Sequence, residues 1–399
     1  MRKILLGIAC LVGLSTMAQN REIEFKVRPW KTQLAAAKKE NKLIFFDAYT
    51  TWCGPCKVMA RDVFTRDKIA DLFNDKFVNV KYDMEKGEGI ALKDKYEVSA
   101  YPTYLFINGD GEVVHKIVGS MTANEFINEA NKALNPESTM YGLAKNFEAS
   151  GHSEASAIAY LDAIKKAYES EKMSVVSKIY FDALEKSTLL DEHNWKLALK
   201  YLNNPSSKAF AYLYNNMSKL KKTYKVSEVN NYFQQVFVSS VSRIKRSYNK
   251  KSGVKEAKEN SKAIRKLLKE GNDYSKVLLA KLDLIEFSAK NQWDKFGVKL
   301  DAMCNDVEFS NKSYVLIEAA NDIATANQEK QYENALRCAD LIEKNTPGLF
   351  TQIQLAELRK RVLIRQGKKA EAEAMSQKEK KLRKEAMDKR AMSPPMYRD

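Results

Sequence analysis

At 399 residues the chain exceeds what one ordinary hydrophobic core organises, and two or three domains are expected. Its 15 Gly and 8 Pro are too few for a turn-rich all-β fold, while a 44% hydrophobic share supports packed globular structure. The formal charge of +16 lies mostly in the second part: residues 19–135 hold 18 Lys and Arg against 17 Asp and Glu, residues 136–399 hold 47 against 34.

The first segment reads as an address. Arg2 and Lys3 precede an apolar run from Ile4 to Leu14, and Ser15-Thr16-Met17-Ala18 supplies a small-residue exit. That layout predicts a secretory signal peptide over residues 1–18, cut after Ala18. The run of eleven apolar residues falls short of the roughly 20 that cross a bilayer, and no later stretch is long and apolar enough. The mature chain is expected to be periplasmic or otherwise extracytoplasmic, and not an integral membrane protein.

Residues 19–135 alternate strand and helix patterns. Trp30, Leu34 and Ala37 fall at helical spacing and predict a helix over residues 30–41. Leu43-Ile44-Phe45-Phe46 is a continuous apolar run, the mark of a strand buried on both faces. A helix over 53–73, a strand over 77–82 and a short helix over 90–96 follow. Strands over 104–107 and 113–118 flank Asn108-Gly109-Asp110-Gly111, a hairpin signal, and 125–134 closes as a helix. This order predicts one small sheet covered by helices on both faces.

The composition shifts at Asn135-Pro136-Glu137-Ser138-Thr139, and residues 136–399 read as all-α. Helix pairs are predicted at 275–289 with 292–303, 313–327 with 330–344, and 350–366 with a helix from Lys369. Phe296, Ala335 and Ala372 take equivalent positions, 39 and 37 residues apart, the spacing of stacked helical hairpins. Residues 327–335 and 367–372 resemble the opening of the second helix in tetratricopeptide repeats, although the Trp and Pro of that pattern are missing. The tail over 377–390 reads as a charged helix, with Ser393-Pro394-Pro395 beyond it expected to be disordered.

The chemistry centres on Trp52-Cys53-Gly54-Pro55-Cys56. A thiolate, not a thiol, attacks a disulfide, and unpaired N–H groups at a helix N-terminus favour that anion on Cys53. Cys56, three residues on, is placed to attack the mixed disulfide that Cys53 forms with a substrate. Pro55 costs no hydrogen bond in the first turn. Zinc would need a second ligand pair, and the nearest His is His115. A structural disulfide closing so small a ring restrains little chain entropy. Thiol–disulfide exchange is therefore the expected chemistry, with no cofactor and no metal.

Residues 43–134 resemble a thioredoxin domain, and the run from Trp52 to Lys57 is identical to that family's active-site run. The resemblance implies further roles. Asp47, six residues before Cys53, matches the buried acid that accepts a proton from the resolving cysteine, and Lys81 matches the lysine beside that acid. Tyr101-Pro102-Thr103 matches the cis-proline loop, in which the residue before the proline pairs with bound substrate. Gly119 matches a glycine lining the same groove, to which Trp52, Gly54 and Pro55 also contribute. The helix over 30–41 and Val63-Phe64 resemble the periplasmic branch, which includes the soluble C-terminal domain of the membrane thiol:disulfide interchange reductase. Gly-Pro between the cysteines resembles reducing members, so a reductant or isomerase is expected rather than an oxidant.

The expected architecture is thus an α/β thioredoxin-like domain (19–135) followed by an all-α helical-repeat domain (136–399). Disulfide-containing client proteins and a membrane thiol electron donor are the expected partners, and nucleic acid is not. The competing reading is a partner-binding scaffold whose helical domain is the working part. Cys304 and Cys338, from the repeat register, are expected to be buried, inert and too far apart to bond. The basic clusters Lys219, Lys221, Lys222, Lys225 and Arg243, Lys245, Arg246, Lys250, Lys251 read as solvated helix faces.

Overall fold

The computed structural model describes residues 21–250, 253–270, 274–310, 312–345 and 348–391. The segment read as a signal peptide (1–18), Lys251 and Ser393-Pro394-Pro395 lie outside the described residues. The chain forms two compact units that divide between Tyr180 and Phe181.

In the first unit the elements run α1 (Trp30–Glu40), β1 (Leu43–Tyr49), α2 (Gly54–Asp62), α3 (Asp67–Lys76), β2 (Phe77–Asp83), α4 (Glu88–Lys95), β3 (Thr103–Ile107), β4 (Val113–Val118) and α5 (Ala123–Leu134). The sheet order is β2-β1-β3-β4; β1 runs parallel to β2 and antiparallel to β3, and β4 is antiparallel to β3. Period-two alternation sends Ile44, Phe46 and Ala48 of β1 to one face, where Trp30 of α1, Leu92 of α4 and Tyr96 just past α4 meet them. Phe45 points to the other face, into a cluster with Met59, Phe73 and Phe126. Both faces are covered, which is why β1 reads as unbroken hydrophobicity. The Phe45 ring lies 4.7 Å from that of Phe73 and 5.6 Å from that of Phe126. Truncating it to alanine would cost about 3–5 kcal/mol.

The helix expected over 53–73 is two helices. The chain turns at Val63–Arg66, where Val63 and Phe64 both donate backbone N–H bonds to the Met59 carbonyl. The Thr65 hydroxyl donates to the Arg61 carbonyl at 2.6 Å and Arg66 Nε to the Asp62 carbonyl at 2.7 Å, so side chains satisfy the carbonyls the ended helix leaves open. Phe64 thereby turns into the aromatic cluster. The break is set by tertiary packing, to which helical periodicity is blind.

The hairpin forms where expected. The Asn108 side-chain oxygen accepts N–H bonds from Asp110 and Glu112, and Gly111 takes φ +85°. Thr122 and Glu125 form a reciprocal capping box at the start of α5.

The compositional shift at 135–139 falls within the first unit, which continues into α6 (Met140–Ala149), α7 (Glu154–Lys166) and most of α8 (Ser170–Ala183). Charged groups tie these helices to the sheet layer. Lys116 of β4 donates to Glu169 at 2.6 Å, and buried Glu129 of α5 accepts from His115 Nε2 at 3.0 Å, Lys132 at 2.9 Å and Lys166 of α7 at 2.6 Å.

In the second unit the described elements are helical: α9 (Glu192–Tyr201), α10 (Lys208–Asn215), α11 (Met217–Thr223), α12 (Val226–Lys250), α13 (Val254–Leu267), α14 (Ser275–Ala289), α15 (Trp293–Cys304), α16 (Val307–Ser310), α17 (Ser313–Thr325), α18 (Tyr332–Lys344), α19 (Leu349–Arg365) and α20 (Lys369–Ala391). The last six long helices stand within a few residues of their expected spans and pack pairwise, α14 on α15, α17 on α18, α19 on α20. α17 buries Val315, Leu316, Ile317, Ala319, Ala320, Ile323 and Ala324, most of its circumference, and so lies in the middle of this packing.

Candidate functional site

Cys53 is the N-cap of α2 in an extended conformation, and the backbone N–H of Cys56 donates to its sulfur at 3.1 Å. The two cysteines are joined in a disulfide with Cα atoms 5.3 Å apart. Pro55 lies in the first turn, where no intrahelical N–H is lost. The Cys56 N–H, which at other helix starts would donate to a capping oxygen, here donates to sulfur, which stabilises the thiolate once the bond opens. Both cysteines are largely covered, Cys53 3% and Cys56 7% exposed, while Trp52 beside them is 63% exposed.

Asp47 lies on the same face of β1 as Phe45, the face covered by α2. Lys81 and Tyr104 are its direct partners on the neighbouring strands. Burial pushes the Asp47 carboxyl up to about 7, against the attraction of Lys81. One of its oxygens, Oδ1, has no hydrogen-bond partner, nor have the Tyr104 and Thr50 hydroxyls. A carboxyl that burial raises toward neutrality is matched to moving a proton to and from a thiol. Lys81 is exposed, its ammonium 4.9 Å over the Phe25 ring, so it acts on Asp47 from the solvent side.

The remaining predicted residues form a rim. The Tyr101–Pro102 peptide is cis, and the Gly119 N–H donates to the Pro102 carbonyl at 2.9 Å. Gly119 takes φ +101°, a conformation that side-chain-bearing residues rarely adopt. The Tyr101 ring meets Trp52 edge-on at 5.8 Å, and Gly54 and Pro55 are exposed at the start of α2.

Two residues here escaped the sequence reading. Glu85 accepts from the Trp52 indole N–H at 3.0 and 3.1 Å and fixes that ring. Tyr104 completes the row Lys81–Asp47–Tyr104, and burial and the Asp47 charge raise its phenol far above the usual range. Strand register was the signal for both, since Tyr104 of β3 lies opposite Asp47 and Glu85 follows the end of β2 at Asp83, level with Tyr49.

In the second basic cluster Arg246 is exposed, but Arg243 and Lys245 leave the solvated face. Arg243 is buried and donates to the Asn203 carbonyl and Ser240 hydroxyl, and Lys245 pairs with Glu318 and Asp322. Among the described residues no group of three or more His, Cys, Asp or Glu side chains is placed to hold a metal ion, and no helix is long and apolar enough to cross a membrane.

The family model of the thioredoxin-like domain matches residues 30–134. Thioredoxin H4 of Arabidopsis thaliana is 37% identical over 91 residues, 23% of this chain and 71% of its own length. Chloroplastic thioredoxin Y of Oryza sativa is 34% identical over 97 residues, 24% of this chain and 54% of its own. A solution structure of a proposed disulphide-isomerase from Bacteroides thetaiotaomicron is 47% identical, covering 30% of this chain and 98% of that one with a TM-score of 0.28. The chain spans roughly half to two thirds of the length of several of these curated relatives, 54%, 66% and 47% for three of them.

Proposed function

The chain belongs to the thioredoxin-like family, and from that premise we propose that it is an exported protein-disulfide oxidoreductase that reduces or isomerises client disulfides. The observation that carries the reading is the Cys53–Cys56 disulfide at the N-terminus of α2, with a buried acid on the sheet face beneath that helix.

In the reduced state Cys53 attacks one sulfur of a client disulfide, and the client's other sulfur leaves as a thiolate. Cys56 then attacks Cys53 in the mixed disulfide, releasing the reduced client and closing the Cys53–Cys56 bond. Asp47 takes up the Cys56 proton, which its near-neutral pKa suits. Lys81 holds the Asp47 pKa down from where burial alone would set it. Trp52, Tyr101, Pro102 and Gly119 offer the client a partly apolar rim with a backbone edge.

Residues 1–18 act as the signal peptide, so the reaction takes place outside the cytoplasm, and a membrane thiol donor returns electrons to the pair. Residues 136–399, a helical and partly tetratricopeptide-like region, bind a client or partner. The test is turnover of a protein disulfide such as insulin's, with dithiothreitol as donor, by the full chain and its Cys53→Ser and Cys56→Ser variants. Loss of turnover in both, with a trapped mixed disulfide in Cys56→Ser alone, supports the reading. Equal turnover in all three overturns it.

A further inference from the structure

Two cysteines remain that the exchange reaction does not use, Cys304 and Cys338. Cys304 is the last residue of α15 and Cys338 lies in the middle of α18, and these helices pack together. The repeat register set an axial offset of five residues between them. The packing closes about half of that gap: the Gln331 amide donates to Asp294 at 3.2 Å and Asp301 pairs with Arg337, residues 37 and 36 apart where the repeat register set 39. Cys304 and Cys338 are 34 apart, so the offset falls to two or three residues, about 3–5 Å along the axis. Cys304 packs against the core cluster that contains Cys338.

Their surroundings differ. Cys338 is buried in the main core of the second unit, its sulfur 3.9 Å from the Leu316 carbonyl, whereas Cys304 sits at the edge of that core and is partly exposed. We propose that Cys304 and Cys338 are a second dithiol, which low-molecular-weight disulfides oxidise to an intramolecular Cys304–Cys338 bond, with Cys304 as the attacking and Cys338 as the resolving sulfur.

The asymmetry sets the order. The neighbouring Cys338 thiol lowers the pKa of Cys304 against the effect of burial, and the neighbouring Cys304 thiol together with burial raises Cys338. The Cys304 thiolate attacks one sulfur of the small disulfide and releases one small thiolate. Cys338, losing its proton, then attacks the Cys304 sulfur and releases the second small thiolate. One small disulfide is reduced to two thiols, one protein disulfide is formed, and the two protein protons pass to the leaving thiolates. Joining the pair needs the helices to close slightly, since packed helix axes lie about 8–10 Å apart and disulfide Cα atoms within about 7 Å. α15 ends at Cys304, so its last turn can move without disturbing the rest of the helix.

The test is peptide mapping of the full chain after incubation with glutathione disulfide and acid quenching. The expected product is a linked pair of peptides carrying Cys304 and Cys338, two hydrogens lighter than the reduced pair. Mapping identifies these peptides in the wild-type chain, where Cys53 and Cys56 are present, and in a Cys53→Ser/Cys56→Ser variant. The Cys338→Ser variant should accumulate glutathione on Cys304, and the Cys304→Ser variant should leave Cys338 unmodified. A phenylarsenical probe, which needs two adjacent thiols, should bind the Cys53→Ser/Cys56→Ser variant and lose at least tenfold in affinity on Cys304→Ser. Two free thiols after oxidation of the wild-type chain, or glutathione that stays on Cys304 with Cys338 present, would overturn the proposal.

Discussion

Replacing Asp47 by Asn removes a charge that the interior holds at a cost, and the size of that cost follows from the carboxyl's environment. Burial moves Asp47 from 3.8 to about 7, with Lys81 opposing. The folded chain therefore binds more protons at this site than the unfolded chain between those two values, and Asp47 lowers stability as pH rises through that window. Well above pH 7 the ionised carboxylate costs about 4 kcal/mol relative to the unfolded state, and between about pH 5 and about pH 8.5 the loss is roughly 2.5 kcal/mol. The Asp47→Asn variant keeps the shape without this titration. Its own packing cost is the same at both pH values, so the change in the difference isolates the charge. Urea unfolding of both oxidised proteins at the two pH values is the assay. The variant should gain roughly 2.5 kcal/mol on the wild type as pH is raised, and its client turnover should fall. A constant stability difference would refute the buried-acid argument.

Lys81→Met removes the cation that holds Asp47 down, so the Asp47 titration, followed by carboxyl carbon NMR, should move above about 7. Tyr104→Phe deletes a buried hydroxyl without a partner and should leave stability unchanged or raise it by about 1 kcal/mol in thermal unfolding. Glu129→Gln weakens the hydrogen bonds from His115, Lys166 and Lys132 that, against burial, hold its carboxyl well below the usual range, and should cost about 3 kcal/mol near neutrality. Because the folded pKa is depressed, Glu129 stabilises the fold above its ordinary value of 4.5 and loses this as pH falls below it, so the variant's stability should vary less with pH there.

Much of the first unit was legible because its strands are short apolar runs and its caps and turns are local. The unbroken Leu43–Phe46 run marked the central strand, Asn108–Gly111 the hairpin, and Cys53–Cys56 the start of α2. What escaped is set by long-range packing. Phe64 turns toward Phe45 and Phe126 and splits one expected helix into two. Glu85 and Tyr104 reach the site through strand register. Arg243 and Lys245 looked like surface charge until Asn203, Glu318 and Asp322 met them from elements far along the chain. The Asp294–Gln331 and Asp301–Arg337 contacts shift the register assumed from repeat spacing and reduce the offset between Cys304 and Cys338.

The central claim, that Cys53 and Cys56 are a reducing dithiol, is tested most directly by their reduction potential, read from thiol trapping after equilibration with dithiothreitol or glutathione buffers. The account predicts a value near about −270 mV, that of thioredoxin, with Gly54-Pro55 between the cysteines. A value near about −120 mV would make the pair an oxidant, and a pair that does not cycle would contradict the account altogether.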